Sequence, residues 1–151
     1  MVLFVLERVA PASVSEAWRC LTRWERHADV VPLTRVTVAT PPPTGEGTVF
    51  VARSGIGALA FDDPMEVVAW TPPREGRPGA CRLEKRGTFV TGWAEIEVHA
   101  SDRGGSRIVW REELRVRWLP RLCDRPLAWV ARRMFGRAVD GLLRGASAEQ
   151  A

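Results

Sequence analysis

The stretch "PLAWVARRMFGRAVDGLLRG" at 126–145 places Leu127, Val130, Ala131, Met134, Phe135, Ala138, Val139, Leu142 and Leu143 at i, i+3, i+4, i+7 spacing. That is one uninterrupted apolar stripe along a helix of about five turns. Fully covered, it stabilises a fold by roughly 10–20 kcal/mol before entropy, at about 1.5–3 kcal/mol per large side chain. A chain with this helix must therefore supply an apolar surface to cover it. Asp124 is the expected N-cap, and Pro126 is tolerated in the first turn, where its missing amide has no helical partner. The other face carries Arg132, Arg133, Arg137 and Arg144, interrupted by Asp140; cations towards a helix C-terminus suit its dipole on a solvated face. Gly136 and Gly141 each cost such a helix about 1 kcal/mol relative to Ala, which is expected where it closely approaches a sheet or a ligand.

The covering surface lies upstream. "VLFVLERV" at 2–9 is rich in β-branched and large apolar residues and ends at Ala10-Pro11, as a strand followed by a turn does. Ser13 and Glu16 then form an S-x-x-E capping box, and Val14, Ala17, Trp18 and Leu21 recur behind it at helical spacing. "RWERHADVV" at 23–31 predicts a second short helix before Pro32. From there the pattern changes to short runs at 34–40, 47–55, 61–70, 80–86, 89–100 and 107–118, separated by turn residues, which predicts a meander of strands.

The last run, "RIVWREELRVRW", is the most informative. Its alternation puts Ile108, Trp110, Glu112, Leu114, Val116 and Trp118 on a covered face and Val109, Arg111, Glu113, Arg115 and Arg117 on the other. Regular pairing through "SDRGGS" sets Val98, Ile96, Ala94 and Gly92 beside Ile108, Trp110, Glu112 and Leu114. The small Gly92 and Ala94 leave space there that a filled core does not need.

At 151 residues, with 46% apolar and 26% charged, one domain is expected over 1–145, with 146–151 as a frayed tail. The net charge of +4 rests on arginine, because Lys85 is the only lysine. Such usage fits coding bias better than selection for a polyanion, and no binding motif accompanies it, so nucleic acid is not an expected partner. Cys20, Cys81 and Cys123 are far apart with no CxxC pairing, and His27 and His99 have no carboxylate at ligand spacing. Reduced thiols and no metal centre are expected. No apolar run nears the ~18 residues of a membrane span, and "MVLFVL" is too short for a signal core, so a cytoplasmic location is expected. Gly55-Ile56-Gly57 lacks a third glycine at dinucleotide spacing, and no G-x-S-x-G elbow occurs, so no cofactor is expected.

The order of strand, two short helices, antiparallel strands and one long terminal helix resembles the helix-grip fold of the START-like superfamily, also called SRPBCC or birch-pollen-allergen-like. Within it, the chain is most similar to the bacterial polyketide cyclase/dehydrase and lipid-transport family. The resemblance is carried by "RVAPASVSEAW" at 8–18, "GEGTVF" at 45–50, "EVVAWTPP" at 66–73, "RLEKRG" at 82–87 and "RGGSRIVWREEL" at 103–114. These motifs mark turns and packing rather than chemistry. The resemblance implies an α+β domain in which a curved antiparallel sheet of about seven strands, with two short helices after the first strand, wraps around the long C-terminal helix. It also implies an elongated cavity for an apolar ligand. A curved sheet cannot touch a straight helix everywhere, so the gap takes its lining from both.

The lining candidates are Met65, Trp110, Leu114, Met134 and Phe135, with Glu112 and Arg53 as polar anchors. Glu112 lies on the covered face, where an ionised carboxylate is costly unless paired. It either pairs with an arginine such as Arg53 or Arg82, or keeps a raised pKa and orients a ligand hydroxyl or serves as a base. His27 stands where folds of this kind open their cavity, as a gate or acid/base group or simply as a surface residue. Asp62 and Asp63 point to opposite faces and cannot share a proton. Aromatases and cyclases of the superfamily often use tyrosine and arginine, and this chain has no tyrosine. The expected function is therefore binding of a hydrophobic or amphipathic, lipid- or polyketide-like molecule in a cavity above about 300 Å³. Two alternatives stand beside it: a cofactor-independent cyclase or aromatase using Glu112 or His27, and an interaction module on the arginine face. At most a weak dimer is expected.

Overall fold

A computed structural model describes residues 1–148. The chain runs β1 (Val2–Ala10), α1 (Val14–Thr22), a 3-10 turn (Trp24–Arg26), α2 (His27–Val30), β2 (Thr34–Val38), β3 (Val49–Ser54) and β4 (Phe61–Thr71). It continues through β5 (Gly79–Arg86), β6 (Val90–Ala100), β7 (Ser106–Val116) and α3 (Asp124–Ala148). Single 3-10 turns at Gly57–Leu59 and Arg121–Cys123 precede β4 and α3.

The strands form one antiparallel sheet in the order β1-β7-β6-β5-β4-β3-β2. Strands β2 to β7 are a meander, and β1 pairs with β7 along its full length, Val2 opposite Leu114 and Ala10 opposite Ser106. Helix α3 crosses the concave face, packing on β1, α1 and α2. Phe135 on α3 meets Phe4 of β1 at 5.6 Å and Trp110 of β7 at 5.9 Å between ring centroids. This is the α+β helix-grip fold expected from the order of elements.

Local sequence rules account for most of these elements. Ser13 Oγ accepts from Glu16 N at 3.3 Å and the Glu16 carboxylate accepts from Ser13 N at 2.9 Å, so the capping box that starts α1 is complete. Between β6 and β7 the register is the one the hairpin predicts, with Gly92 opposite Leu114, Ala94 opposite Glu112, Ile96 opposite Trp110 and Val98 opposite Ile108. Gly92 has φ 137°, and a Cβ there would lie 2.0 Å from the Glu113 carbonyl oxygen. Only glycine fits.

Several expectations need correction. Asp124 does not cap α3: it is already helical, entered from a 3-10 turn, and its carboxylate accepts from the N-terminal ammonium at 3.1 Å. Trp118 is not on the covered face, because β7 stops at Val116 and Trp118 turns out into solvent with φ 71°. Among the described residues, Leu33 is the other non-glycine residue with positive φ, at 56°. Gly136 and Gly141 do make room for close neighbours, but the neighbours are side chains. Gly136 borders the Arg8 guanidinium of β1, and Gly141 borders Val30 of α2, where an added Cβ would come within 2.6 Å. The expected tail at 146–151 lies partly in α3, which continues through Ala148; positions 149–151 lie outside the described residues.

Candidate functional site

Between the concave face of the sheet and α3 lies a cavity of about 280 Å³. That is slightly below the ~300 Å³ threshold expected for a ligand pocket, so the expected cavity is present but smaller than the sequence reading required. Its walls are mostly apolar. Phe50, Met65, Leu83, Ala94, Trp110 and Leu114 line it from the sheet, and Leu127, Val130, Ala131, Met134 and Phe135 from α3. Trp24 stacks on Phe50 at 4.7 Å with the rings 7° apart, sealing the side beneath α1 and α2.

A charged cluster interrupts this lining. Strand alternation points Phe61, Asp63, Met65 and Val67 of β4 inward, and Cys81, Leu83 and Lys85 of β5 likewise; the side chains of Asp63 and Lys85 are accordingly 11% and 6% exposed. Lys85 Nζ donates to Asp63 Oδ2 at 3.0 Å and sits 3.3 Å from Glu112 Oε1. The Trp110 indole donates to Glu112 Oε2 at 3.0 Å. Burial pushes the Glu112 carboxyl above its ordinary range, and Lys85 and the indole offset this only in part. For Lys85, burial favours the neutral amine, but Glu112 and Asp63 together outweigh it and raise its pKa. One ammonium thus faces two buried carboxyl groups, the single cation of the cluster.

His27 lines the same cavity, its ring 5.7 Å from that of Trp24 and 6.2 Å from that of Trp110. The residue as a whole is half-buried, yet Nε2 is sealed from solvent. Burial lowers its pKa, despite opposing hydrogen bonds to the Arg23 and Trp24 backbone, which favours the neutral imidazole. Among the described residues, Trp24 Nε1, His27 Nε2, Asp63 Oδ1, Ser106 Oγ and Glu112 Oε1 are buried without a hydrogen-bond partner, although Glu112 Oε1 faces the Lys85 ammonium at 3.3 Å. All but Ser106 belong to cavity-lining residues.

The structure brings Met65, Trp110, Glu112, Leu114, Met134, Phe135 and His27 to one cavity. It does not bring Arg53. Phe50, Ala52 and Ser54 of β3 face the cavity, so the intervening Arg53 points outward, where it bonds Asp62 at 3.2 Å. Nor does an arginine pair with Glu112, since Arg82 also faces out, bonded to Glu95 and stacked over Trp93. Sequence reasoning missed Lys85 and weighed Asp63 only as a pair with Asp62. Their signals were their inward parity with Leu83 and Met65 and, for Lys85, its being the single lysine of an arginine-rich chain.

Other candidate chemistry is absent or occupied. Among the described residues no group of three or more His, Cys, Asp and Glu could hold a metal ion. Among the described residues no disulfide joins Cys20, Cys81 and Cys123; Cys20 and Cys81 are buried, and burial pushes Cys81 up to about 12. On the arginine face of α3, Asp140 accepts from Arg8 at 2.7 Å and Arg133 lies over Trp129 at 5.6 Å.

A curved sheet gripping a long helix defines the START-like helix-grip fold. Residues 1–149 match the family described as polyketide cyclase/dehydrase and lipid transport, and the chain belongs to that family. Solved structures agree in fold. The Zhui aromatase/cyclase from a Streptomyces species superposes with TM-score 0.71 at 15% identity, covering 99% of this chain and 95% of that one. A START superfamily protein from Mycobacterium smegmatis gives 0.73 at 10% identity, covering 95% and 97%. A protein from Thermus thermophilus gives 0.77 at 14% identity, covering 99% of both chains. No curated protein matches the sequence.

Proposed function

We propose that this protein binds a small, mainly apolar molecule carrying one or two hydrogen-bonding groups, with its polar end at Asp63, Lys85 and Glu112. The observation that carries this reading is the set of unpartnered buried polar atoms on Trp24, His27 and Asp63 in the lining of one apolar cavity. Buried polar groups in folded proteins are nearly always hydrogen-bonded, and a ligand hydroxyl or carbonyl would complete them. Membership of a family described by lipid transport and polyketide cyclisation supports the same chemistry. Native mass spectrometry of the freshly purified protein tests it. An apolar adduct is expected on the wild-type chain and not on Ala131→Phe, whose added ring occupies the cavity. An equal adduct on both proteins would place the ligand elsewhere.

A second reading is favoured by one pairing: a carboxyl with a raised pKa and a neutral imidazole face the same cavity. Glu112 as general acid and His27 as base would suit a cofactor-independent cyclisation of a polyketone. Glu112→Gln is then expected to abolish turnover while retaining binding, and unchanged product formation would remove Glu112 from the mechanism.

A further inference from the structure

The strand order fixes which loops share an end of the sheet. Connections α2–β2, β3–β4, β5–β6 and β7–α3 all lie at the end where Thr34 pairs with Ser54 and Val90 with Val116. This end exposes Leu33, Ile56, Leu59, Phe89, Trp118 and Leu122, the last three-quarters exposed or more along with Leu59 and Trp118. Among the described residues, no loop at the opposite end exposes a large apolar side chain. Exposed apolar residues gathered on one end mark a contact surface, whereas scattered ones do not.

Two further features single this end out. Among the described residues, Leu33 and Trp118, both bulky, are the non-glycine residues held at positive φ, in a conformation that side chains of their size rarely adopt, and each presents its side chain to water. Beside them Arg115, Arg117 and Arg121 line a surface groove together with Trp118 and Leu119. Among the described residues none of these three arginines has an ion-pair partner; Arg117 lies over the Trp118 ring at 5.0 Å. Of the carboxylates at this end, Asp62 bonds Arg53 and Asp124 the terminal ammonium; Glu113 shares the outer face of β7 with Arg115.

We infer that this end docks on an anionic phospholipid surface, with Leu59, Trp118 and Leu122 entering the interface and Arg115, Arg117 and Arg121 taking lipid phosphates. Apolar tips with amphipathic tryptophan beside unpaired arginines fit a bilayer interface. A second copy of the chain fits poorly, because a two-fold contact would set these arginines against their own equivalents. The contact is peripheral, since no helix of the described residues is long and apolar enough to cross a membrane. The cavity reaches the same end through Thr34, Ser54, Phe61, Val90 and Val116, so docking would bring its lining towards the lipid. Nothing in the surface itself depends on what fills the cavity.

Sedimentation of the full chain with vesicles tests the inference, comparing phosphatidylcholine alone with a mixture holding about 30% phosphatidylglycerol. The chain is expected to partition onto the anionic vesicles roughly tenfold more strongly and to be released as salt rises. Leu59→Ser with Leu122→Ser, both on exposed side chains, is expected to lower binding several-fold with an unchanged melting temperature. Arg117→Gln with Arg121→Gln is expected to erase the preference for anionic lipid. Equal or absent binding to the two vesicles, or binding that neither double variant alters, would overturn the inference. So would a concentration-dependent dimer, without vesicle binding, that Leu59→Ser with Leu122→Ser dissolves; that outcome assigns the surface to a second copy.

Discussion

Lys85 places its ammonium 3.3 Å from Glu112 although their strands are not neighbours, β6 lying between β5 and β7. On β6, Gly92 stands opposite both Lys85 and Leu114, and Ala94 opposite both Leu83 and Glu112. The ion pair therefore crosses β6 diagonally, over the two small residues on its covered face. The space that Gly92 and Ala94 leave is where this pair passes, and Lys85 also bonds Asp63 of β4 beyond. The cluster thus links β4, β5 and β7 across the cavity wall.

Lys85→Met removes the single cation and leaves two buried carboxylates. Breaking a buried pair from one side costs about 3–5 kcal/mol, and urea denaturation at neutral pH is expected to register a loss of that size. The deficit should shrink as pH falls, because Glu112, whose pKa burial raises, can then take up a proton in the folded state. A loss below about 1 kcal/mol at pH 7 would mean that solvent reaches the cluster.

Glu112 sets a pH dependence of a definite sign. Its pKa is raised from about 4.5 in the folded state, so between those values the folded chain keeps a proton that the unfolded chain has lost. Its contribution to stability is complete below about pH 4.5 and is lost as pH rises through the folded pKa. Glu112→Gln removes that slope. The stability difference between wild type and variant should therefore move in favour of the variant as pH rises from 5 to 8, measured by denaturant midpoint at each pH.

His27 acts with the opposite sign. Its pKa is lowered from 6.5 by burial, so on acidification the unfolded chain takes up a proton before the folded one. The stability it contributes is complete above about pH 6.5 and declines below it, by at most about 1.4 kcal/mol per pH unit. His27→Gln should flatten the thermal melting profile between pH 5 and 6.5 relative to wild type. Parallel profiles would mean that the ring is accessible to water and free to protonate in the native state.

The fold was legible because its elements follow periodic rules. The stripe from Leu127 to Leu143 demanded a cover, the capping box fixed the start of α1, and the "SDRGGS" hairpin fixed the register of β6 on β7. The site was half legible. Glu112 stood out because it interrupts apolar neighbours of its own parity, but its partner could not be read, since pairing across a third strand depends on sheet order. The same alternation that placed Glu112 also places Arg53 outside and Lys85 inside. Arginine length made Arg53 an attractive partner, whereas Phe50, Ala52 and Ser54 fix its direction. The ends of elements were least legible: Trp118 continues the alternation of β7 in sequence, but the strand has already stopped.

The two small residues of β6 can be told apart by substitution. Gly92→Ala puts a Cβ 2.0 Å from the Glu113 carbonyl at a φ that alanine rarely adopts, so the backbone between β6 and β7 must shift whatever the cavity contains. It is expected to destabilise strongly at every pH and to resist rescue elsewhere. Ala94→Leu strains no backbone; it sets a larger side chain beneath the Lys85 to Glu112 path. Overpacking of this kind costs about 1–3 kcal/mol, and displacement of the ion pair adds to it only while both charges are present. Ala94→Leu should consequently cost less in a Lys85→Met, Glu112→Leu background than in the wild type, by roughly 1 kcal/mol or more in a double-mutant cycle. Equal costs in the two backgrounds would mean that the pair does not pass over Ala94.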